Sequence, residues 1–281
     1  MASSKEEVFN FEIVTVNDSG KIINQIQGDT RQKIEDLGNG TKLEMVYIPG
    51  GSFLMGSPEN EAERDSDESP QHSVTLQPFY MSKYPITQNQ YQTIMGENPS
   101  HFKGGNRPVE TVNWYNATEF CQKLSEKTDK IYTLPSESQW EYACRAGTIT
   151  PFYFGETITS DLVNYHGNYP YGDAPQGKYR GGTTDVGIFP PNAFGLYDMH
   201  GNVWEWCLDV WHDNYNGAPT DGSSWEIKGD TNTRLLRGGC WCSFSWYCRS
   251  AWRDSEYADQ CYYVRGFRIV WSPVVVSAFR S

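Results

Sequence analysis

No stretch of this chain approaches the roughly 18 consecutive apolar residues of a membrane-spanning helix. The first eleven residues carry Lys5, Glu6 and Glu7 and lack the apolar run of a signal peptide. Positive charge is scarce. Lys and Arg number 23 against 35 Asp and Glu, for a net charge of −12. Such a chain is a poor partner for phosphate backbones and anionic membranes, so neither nucleic acid nor membrane is an expected partner. Cysteine is sparse and odd in number, at seven. A secreted disulfide scaffold is shorter, denser and usually even. The expectation is a soluble, cytoplasmic protein with mostly free thiols. His72, His101, His166, His200 and His212 are scattered without metal spacing. There is no glycine-rich phosphate loop and no Gly-x-Ser-x-Gly.

What the chain has in quantity is aromatic. Its 10 Trp, 18 Tyr and 13 Phe must be buried or put to use, which argues against disorder. Its 281 residues suit one large domain or two small ones. Residues 1–42 read as an N-terminal extension. Phe9, Phe11, Ile13, Val14 and Val16 suggest a strand, Asn17 to Gly20 a turn, and Ile22, Ile23 and Ile26 the returning strand. From Leu43 to Ser281 the texture is that of one α+β domain. Leu43–Ile48 is a short apolar strand, and Val74, Leu76, Phe79 and Met81 alternate as one further strand. Thr87-Gln88-Asn89-Gln90 and Ser136-Glu137-Ser138-Gln139 are capping boxes, and Asn113 caps a third helix. Beyond residue 148 no helical period of comparable length occurs. Gly, Asn, Asp and aromatics dominate.

A set of motifs, in order, carries a family resemblance. They are Met45-Val46-Tyr47-Ile48-Pro49-Gly50-Gly51, Pro108-Val109-Glu110-Thr111-Val112-Asn113-Trp114, and Leu134-Pro135-Ser136-Glu137-Ser138-Gln139-Trp140-Glu141-Tyr142-Ala143. Asn192-Ala193-Phe194-Gly195-Leu196-Tyr197-Asp198-Met199, Gly201-Asn202-Val203-Trp204-Glu205-Trp206, Arg237-Gly238-Gly239 and Gly266-Phe267-Arg268 follow. Over about residues 43–270 they resemble the formylglycine-generating enzyme family of sulfatase-modifying factors. The resemblance implies a C-type-lectin-like fold: little regular structure, small twisted antiparallel sheets and a few flanking helices.

It also implies one structural calcium site. The matching positions are the side chains of Asp198 and Glu205 and the carbonyls of Gly201 and Val203. Calcium takes six to eight hard oxygens in a tight bend, and this run supplies such oxygens. The other reading is that Trp204 and Trp206 are core and the polar residues close a turn. A second family site would begin at Asn164 and Tyr165, but its later carboxylate position falls on Lys178, which has no lone pair to offer.

The family's catalytic members bind Cu(I) with two cysteines five residues apart. The second position falls on Cys248 and the first on Ser243. Cys242 is one residue off, which in an extended strand turns its side chain to the other face. Copper and formylglycine-generating turnover are therefore not expected, although a copper-dependent oxidase is the alternative reading.

Residues 240–265 are the peculiar stretch. Large aromatics mix with Ser, Cys and single charges without a 2.0 or 3.6 period, unlike a core or an ordinary loop. A binding surface has this composition. Many bacterial relatives carry an Asn-rich run here. Trp241, Cys248, Arg249, Ser250, Ala251, Arg253 and Asp259 keep the relatives' framework. Randomising the adenines of Asn codons yields Ser, Tyr, Cys, Phe, Asp and Val, the residues found where those relatives have Asn. This is similar to the variable protein of a diversity-generating retroelement, in which adenine-directed mutagenesis rewrites a ligand surface. The expected variable residues are Cys242, Ser243, Phe244, Trp246, Tyr247, Trp252, Asp254, Ser255, Glu256, Tyr257, Gln260, Tyr262, Tyr263 and Arg265. Their partner is a protein or other macromolecule. The sequence assigns no oligomeric state.

Overall fold

A computed structural model describes residues 5–273. β1 (Lys5–Val16) and β2 (Ile22–Gly38) form a long antiparallel hairpin. At its turn the Asn17 carboxamide oxygen accepts from the Lys21 N–H at 2.9 Å. A second tight turn at Asn39 and Gly40, both at positive φ, leads into β3 (Thr41–Ile48). The chain therefore does not divide at residues 42 and 43, which lie inside β3. β2 is longer than its apolar residues suggest, because Ile22, Ile23 and Ile26 are exposed and its distal half has no buried face. Both strands contribute to the inward face, β2 through Gln32, Glu35 and Leu37 near its end and β1 along its second half. Phe11, Val14 and Val16 are buried, and the Val16 N–H donates to the Phe154 carbonyl at 2.9 Å.

β4 (Gly51–Met55) pairs with β5 (His72–Leu76) in a separate two-stranded sheet. β5 and β6 (Phe79–Ser82) are two strands rather than the single one expected over Val74–Met81. Pro78 intervenes, and proline has no N–H for a ladder. β6 joins the main sheet. With β7 (Tyr132–Thr133) and β12 (Val270–Trp271), the order is β1-β2-β3-β6-β12-β7, antiparallel throughout.

The three helices start at their caps. α1 (Gln88–Met95) has a reciprocal Thr87–Gln90 box and ends at Gly96 with φ 86°. α2 (Trp114–Thr128) starts on an Asn113–Asn116 box and buries Ala117, Phe120, Cys121 and Leu124. α3 (Glu137–Arg145) starts on Ser136–Gln139 and is buried almost all round, including the carboxylates of Glu137 and Glu141. A helix that buries two carboxylates needs cations brought to it.

Arg145 of α3 itself meets Glu141 at 2.9 Å, and the second half of the chain supplies the others. β8 (Trp204–Trp211), β9 (Asp230–Arg237), β10 (Asp254–Tyr257) and β11 (Arg265–Gly266) form a sheet in the order β10-β9-β8-β11, with β11 parallel to β8. The core lies between these layers. One part gathers Trp140, Leu196, Met199, Cys207 and Leu235. The other gathers Phe120, Leu134, Trp206, Phe267 and Ile269. The architecture is α+β, mostly sheet and loop.

Candidate functional site

β9 ends at Arg237, and the chain turns sharply through Gly238 (φ 92°) and Gly239 (φ 75°). A Cβ on Gly239 would lie 2.5 Å from the Cys248 sulfur, so both conformation and space require glycine there. Residues 240–243 then close a turn, with the Ser243 N–H donating to the Cys240 carbonyl at 3.0 Å. This segment is not the extended strand on which the argument about Cys242 was based. A 3-10 turn, Ser245–Cys248, follows. β10 then adds to the edge of β9 with Asp254 opposite Leu236 and Tyr257 opposite Thr233.

The positions that match the relatives' framework and those that depart from it differ in burial. Trp241, Cys248, Arg249, Ser250, Ala251 and Arg253 are all buried. Of the framework positions only Asp259 is exposed. Of the fourteen expected variable residues, Tyr257, Tyr262 and Tyr263 are exposed. Cys242, Phe244, Trp246, Tyr247, Trp252, Asp254, Ser255, Glu256, Gln260 and Arg265 are partly exposed. Ser243 is the correction: it is buried at 6%. Its hydroxyl accepts from the Cys240 N–H at 2.9 Å, and its carbonyl accepts from the His166 N–H. It holds the turn and is not a surface residue. A second correction concerns degree. Trp246, Tyr247 and Trp252 pack partly on the core, so they do not point wholly away from it.

Four buried guanidinium groups anchor the segment and its flanks. Arg237 reaches Glu137 and Glu141 and donates to the carbonyls of Ser250 and Ala251. Arg249 reaches Glu61 and both oxygens of Glu68, and donates to the Glu63 carbonyl. Arg253 donates to Glu137 at 2.7 Å and to the carbonyls of Asp67 and His212. Arg268 completes the set below. The planar fork satisfies several acceptors at once, which suits a fold short of regular ladders. Burial opposes the charge on Glu137, but Arg253 and Arg237 hold its carboxyl below the usual range. His200 is a further tie. Burial pushes its pKa down to about 3, and the neutral ring donates to the Cys248 carbonyl at 2.7 Å while accepting from the Tyr153 N–H.

Above these ties lies a belt of rings. Tyr263 stacks on Trp241, Trp241 faces Tyr179, and Tyr179 stacks on His166 with centroids 3.9 Å apart. His166 meets Tyr169, Tyr169 meets Phe244 at 4.1 Å, and Phe244 meets Trp246 and Tyr247. Tyr247 packs on Trp252 at 4.7 Å. Tyr262 carries Arg265 over its ring, and Arg265 pairs with Glu256 at 2.6 Å. The sequence reading missed His166, Tyr169 and Tyr179. Their signal was exposed aromatics in a loop of Gly, Asn and Asp, a loop that reaches the belt only through the fold.

The positions expected to hold calcium make contacts within the protein. Asp198 is buried, at φ 55°, and accepts from the Gly187 N–H at 2.7 Å. The Gly201 carbonyl accepts from the Val203 N–H at 2.9 Å. Glu205 is a buried partner of Arg268, which donates to its two oxygens at 2.6 and 2.9 Å, and the Trp140 indole N–H donates to Oε2 at 2.7 Å. At the second site Lys178 is exposed. There Arg180 donates to the Ser160 carbonyl at 2.6 Å.

A loop-rich α+β domain carrying an aromatic, side-chain-built face on a glycine turn is a C-type-lectin-like fold of the formylglycine-generating-enzyme type. The model of the sulfatase-modifying factor enzyme 1-like domain matches residues 30–273, and the chain belongs to that family. The match begins inside β2, consistent with a sheet that does not break at residue 42. The structure of PvdO from Pseudomonas aeruginosa is 34% identical, with a TM-score of 0.75 over 85% of this chain and 98% of that one. Treponema denticola variable protein 1 is 26% identical, with a TM-score of 0.73 over 86% and 99%. The formylglycine-generating enzyme of Thermomonospora curvata is 26% identical over 82% of this chain and 94% of that one. The chain spans only 37% of the length of Chlamydia pneumoniae serine/threonine-protein kinase pkn1, to which it is 29% identical.

Proposed function

We propose that this protein is a catalytically inactive relative of formylglycine-generating enzyme that binds a macromolecular ligand through the face built by residues 242–265. The observation that carries this reading is the burial division. Residues that keep the family framework are, Asp259 apart, buried, and those that depart from it are, Ser243 apart, partly or fully exposed. Exposed positions also vary freely under ordinary drift, so the division marks the face, and the residue types at the departing positions carry the diversification reading. Tyr and Trp at the face give large contact area at small entropic cost. Similarity to a protein named variable supports retroelement diversification of the face.

The alternative is a copper-dependent oxidase that converts a protein cysteine to formylglycine. Ser243 weighs against it, because a buried hydroxyl bonded to the Cys240 amide is a hard donor where Cu(I) wants a thiolate. Two measurements test the proposal. DNA beside the gene is expected to hold a near-copy of the segment encoding about residues 235–270, differing at adenines. Protein given Cu(I), oxygen and a cysteine-containing sulfatase-type peptide is expected to leave the peptide unchanged. Aldehyde formation on the peptide would overturn the binding reading.

A further inference from the structure

A cluster of nucleophilic side chains lies at the edge of the proposed face, where Cys242, one of the face's own residues, meets the buried Cys240. The sulfurs of Cys240 and Cys242 lie 3.3 Å apart. The turn over 240–243 creates this approach by folding the chain back between residues two apart. The Cys240 N–H and the Ser243 N–H are both bonded within it. The Ser243 hydroxyl also sits 3.2 Å from the Cys240 sulfur. The pair is asymmetric: Cys240 is buried, while Cys242 is partly open to solvent. Of the other thiols, Cys121, Cys144, Cys207 and Cys248 are buried, and Cys261 is exposed.

We propose that Cys240 and Cys242 are a thiol–disulfide exchange couple, oxidised by a small disulfide of the glutathione class. The outer sulfur is the one a small disulfide can reach. The Cys242 thiolate attacks one sulfur of the reagent, the reagent's S–S bond breaks, and one thiolate leaves and takes up a proton. The Cys240 thiol then gives its proton to solvent and attacks the Cys242 sulfur, and the second small thiol leaves. Two protein thiols become one disulfide, and one small disulfide becomes two thiols. The sulfurs need to close from 3.3 Å to about 2.05 Å. The charges are disposed for this order. The hydrogen bond from Cys240 holds the Cys242 thiol below its ordinary pKa, and burial raises that of Cys240. A low-pKa outer thiol beside a buried resolving thiol is the arrangement that favours exchange. Trp241, between the two, stacks on Tyr263 and Tyr179, so closing the ring acts on the aromatic belt.

The test equilibrates the full chain with glutathione–glutathione disulfide buffers, quenches with acid, alkylates under denaturing conditions and maps the tryptic peptide spanning 238–249. The expected result is a peptide two hydrogens lighter, with Cys248 still alkylated and no glutathione attached. Cys240→Ser is expected to accumulate a glutathione adduct on Cys242, and Cys242→Ser to abolish the reaction. Alkylation of both Cys240 and Cys242 across all buffers would overturn the proposal, as would a bond joining Cys242 to Cys248. The wild-type map decides alone if Cys240→Ser fails to fold. It reads neither ligand binding nor peptide oxidation, so its failure is separate from failure of the binding reading.

Discussion

Arg249 donates to both carboxylate oxygens of Glu68, 181 residues earlier in the chain, and both side chains are fully buried. This pair pins the segment 240–265 to the acidic loop after β4. Glu61 and the Glu63 carbonyl complete the fork. Burial opposes the charge on Glu68, yet the Arg249 hydrogen bonds hold its carboxyl below the usual range.

Removing the guanidinium leaves Glu68 and Glu61 buried without their cation, and Arg249→Met is expected to cost about 3–5 kcal/mol in urea denaturation; Glu68→Gln leaves Arg249 with Glu61 and is expected to cost less. The double variant is expected to cost less than the sum of the two. Arg249→Lys is expected to fail as a rescue, because an ammonium lacks the fork. Additive single effects would show that the two groups act independently.

The aromatic residues of the face are expected to fall into three grades of stability effect. Tyr257→Ala, Tyr262→Ala and Tyr263→Ala lie on exposed positions and are expected to stay within about ±0.5 kcal/mol. Phe244, Trp246, Tyr247 and Trp252, partly buried, are expected to cost about 1–2 kcal/mol each on truncation to Ala. Trp241→Ala and Phe267→Ala, both buried, are expected to cost about 3–5 kcal/mol. Equal costs across the three sets would make the face part of the core and remove the surface on which binding is proposed.

Asp198 provides a pH test. Burial, reinforced by Glu205 and partly offset by the Gly187 hydrogen bond and Arg268, raises its carboxyl from 3.8 to about 6. The folded state therefore binds more protons between these values, and stability falls as pH rises through that window. Asn keeps an acceptor for Gly187 and tolerates the left-handed φ. Asp198→Asn is expected to gain up to about 3 kcal/mol at pH 7, a gain that disappears near pH 4. Calcium coordination by Asp198 would give the opposite outcome, with the variant less stable at pH 7 in calcium and equal to wild type in chelator.

Gly239→Ala is expected to destabilise by at least about 1–2 kcal/mol from the left-handed φ alone. The close approach to the Cys248 sulfur adds to this. A neutral result in thermal melting would show that the turn relaxes, and would weaken the argument that it fixes the face.

Local features were legible in the sequence because their causes are local. The Thr87–Gln90 and Ser136–Gln139 boxes lie within one helical turn, and the Gly238–Gly239 turn needs only the freedom of two residues. The two kinds of position inside 240–265 were also visible, because those that match the relatives and those that depart from them carry different residue types. What the sequence did not disclose were pairings across long separations. Ile22, Ile23 and Ile26 gave no sign that β2 runs on to Gly38, since polar residues on a solvated hairpin carry no period. Glu205 read as a free carboxylate until the fold brought Arg268 against it, and Ser243 read as variable until the turn buried it. His166, Tyr169 and Tyr179 joined the belt only through tertiary packing. An ion pair or a ring stack depends on which distant backbones meet, so the tertiary structure alone decided which charges are spent and which surfaces remain open.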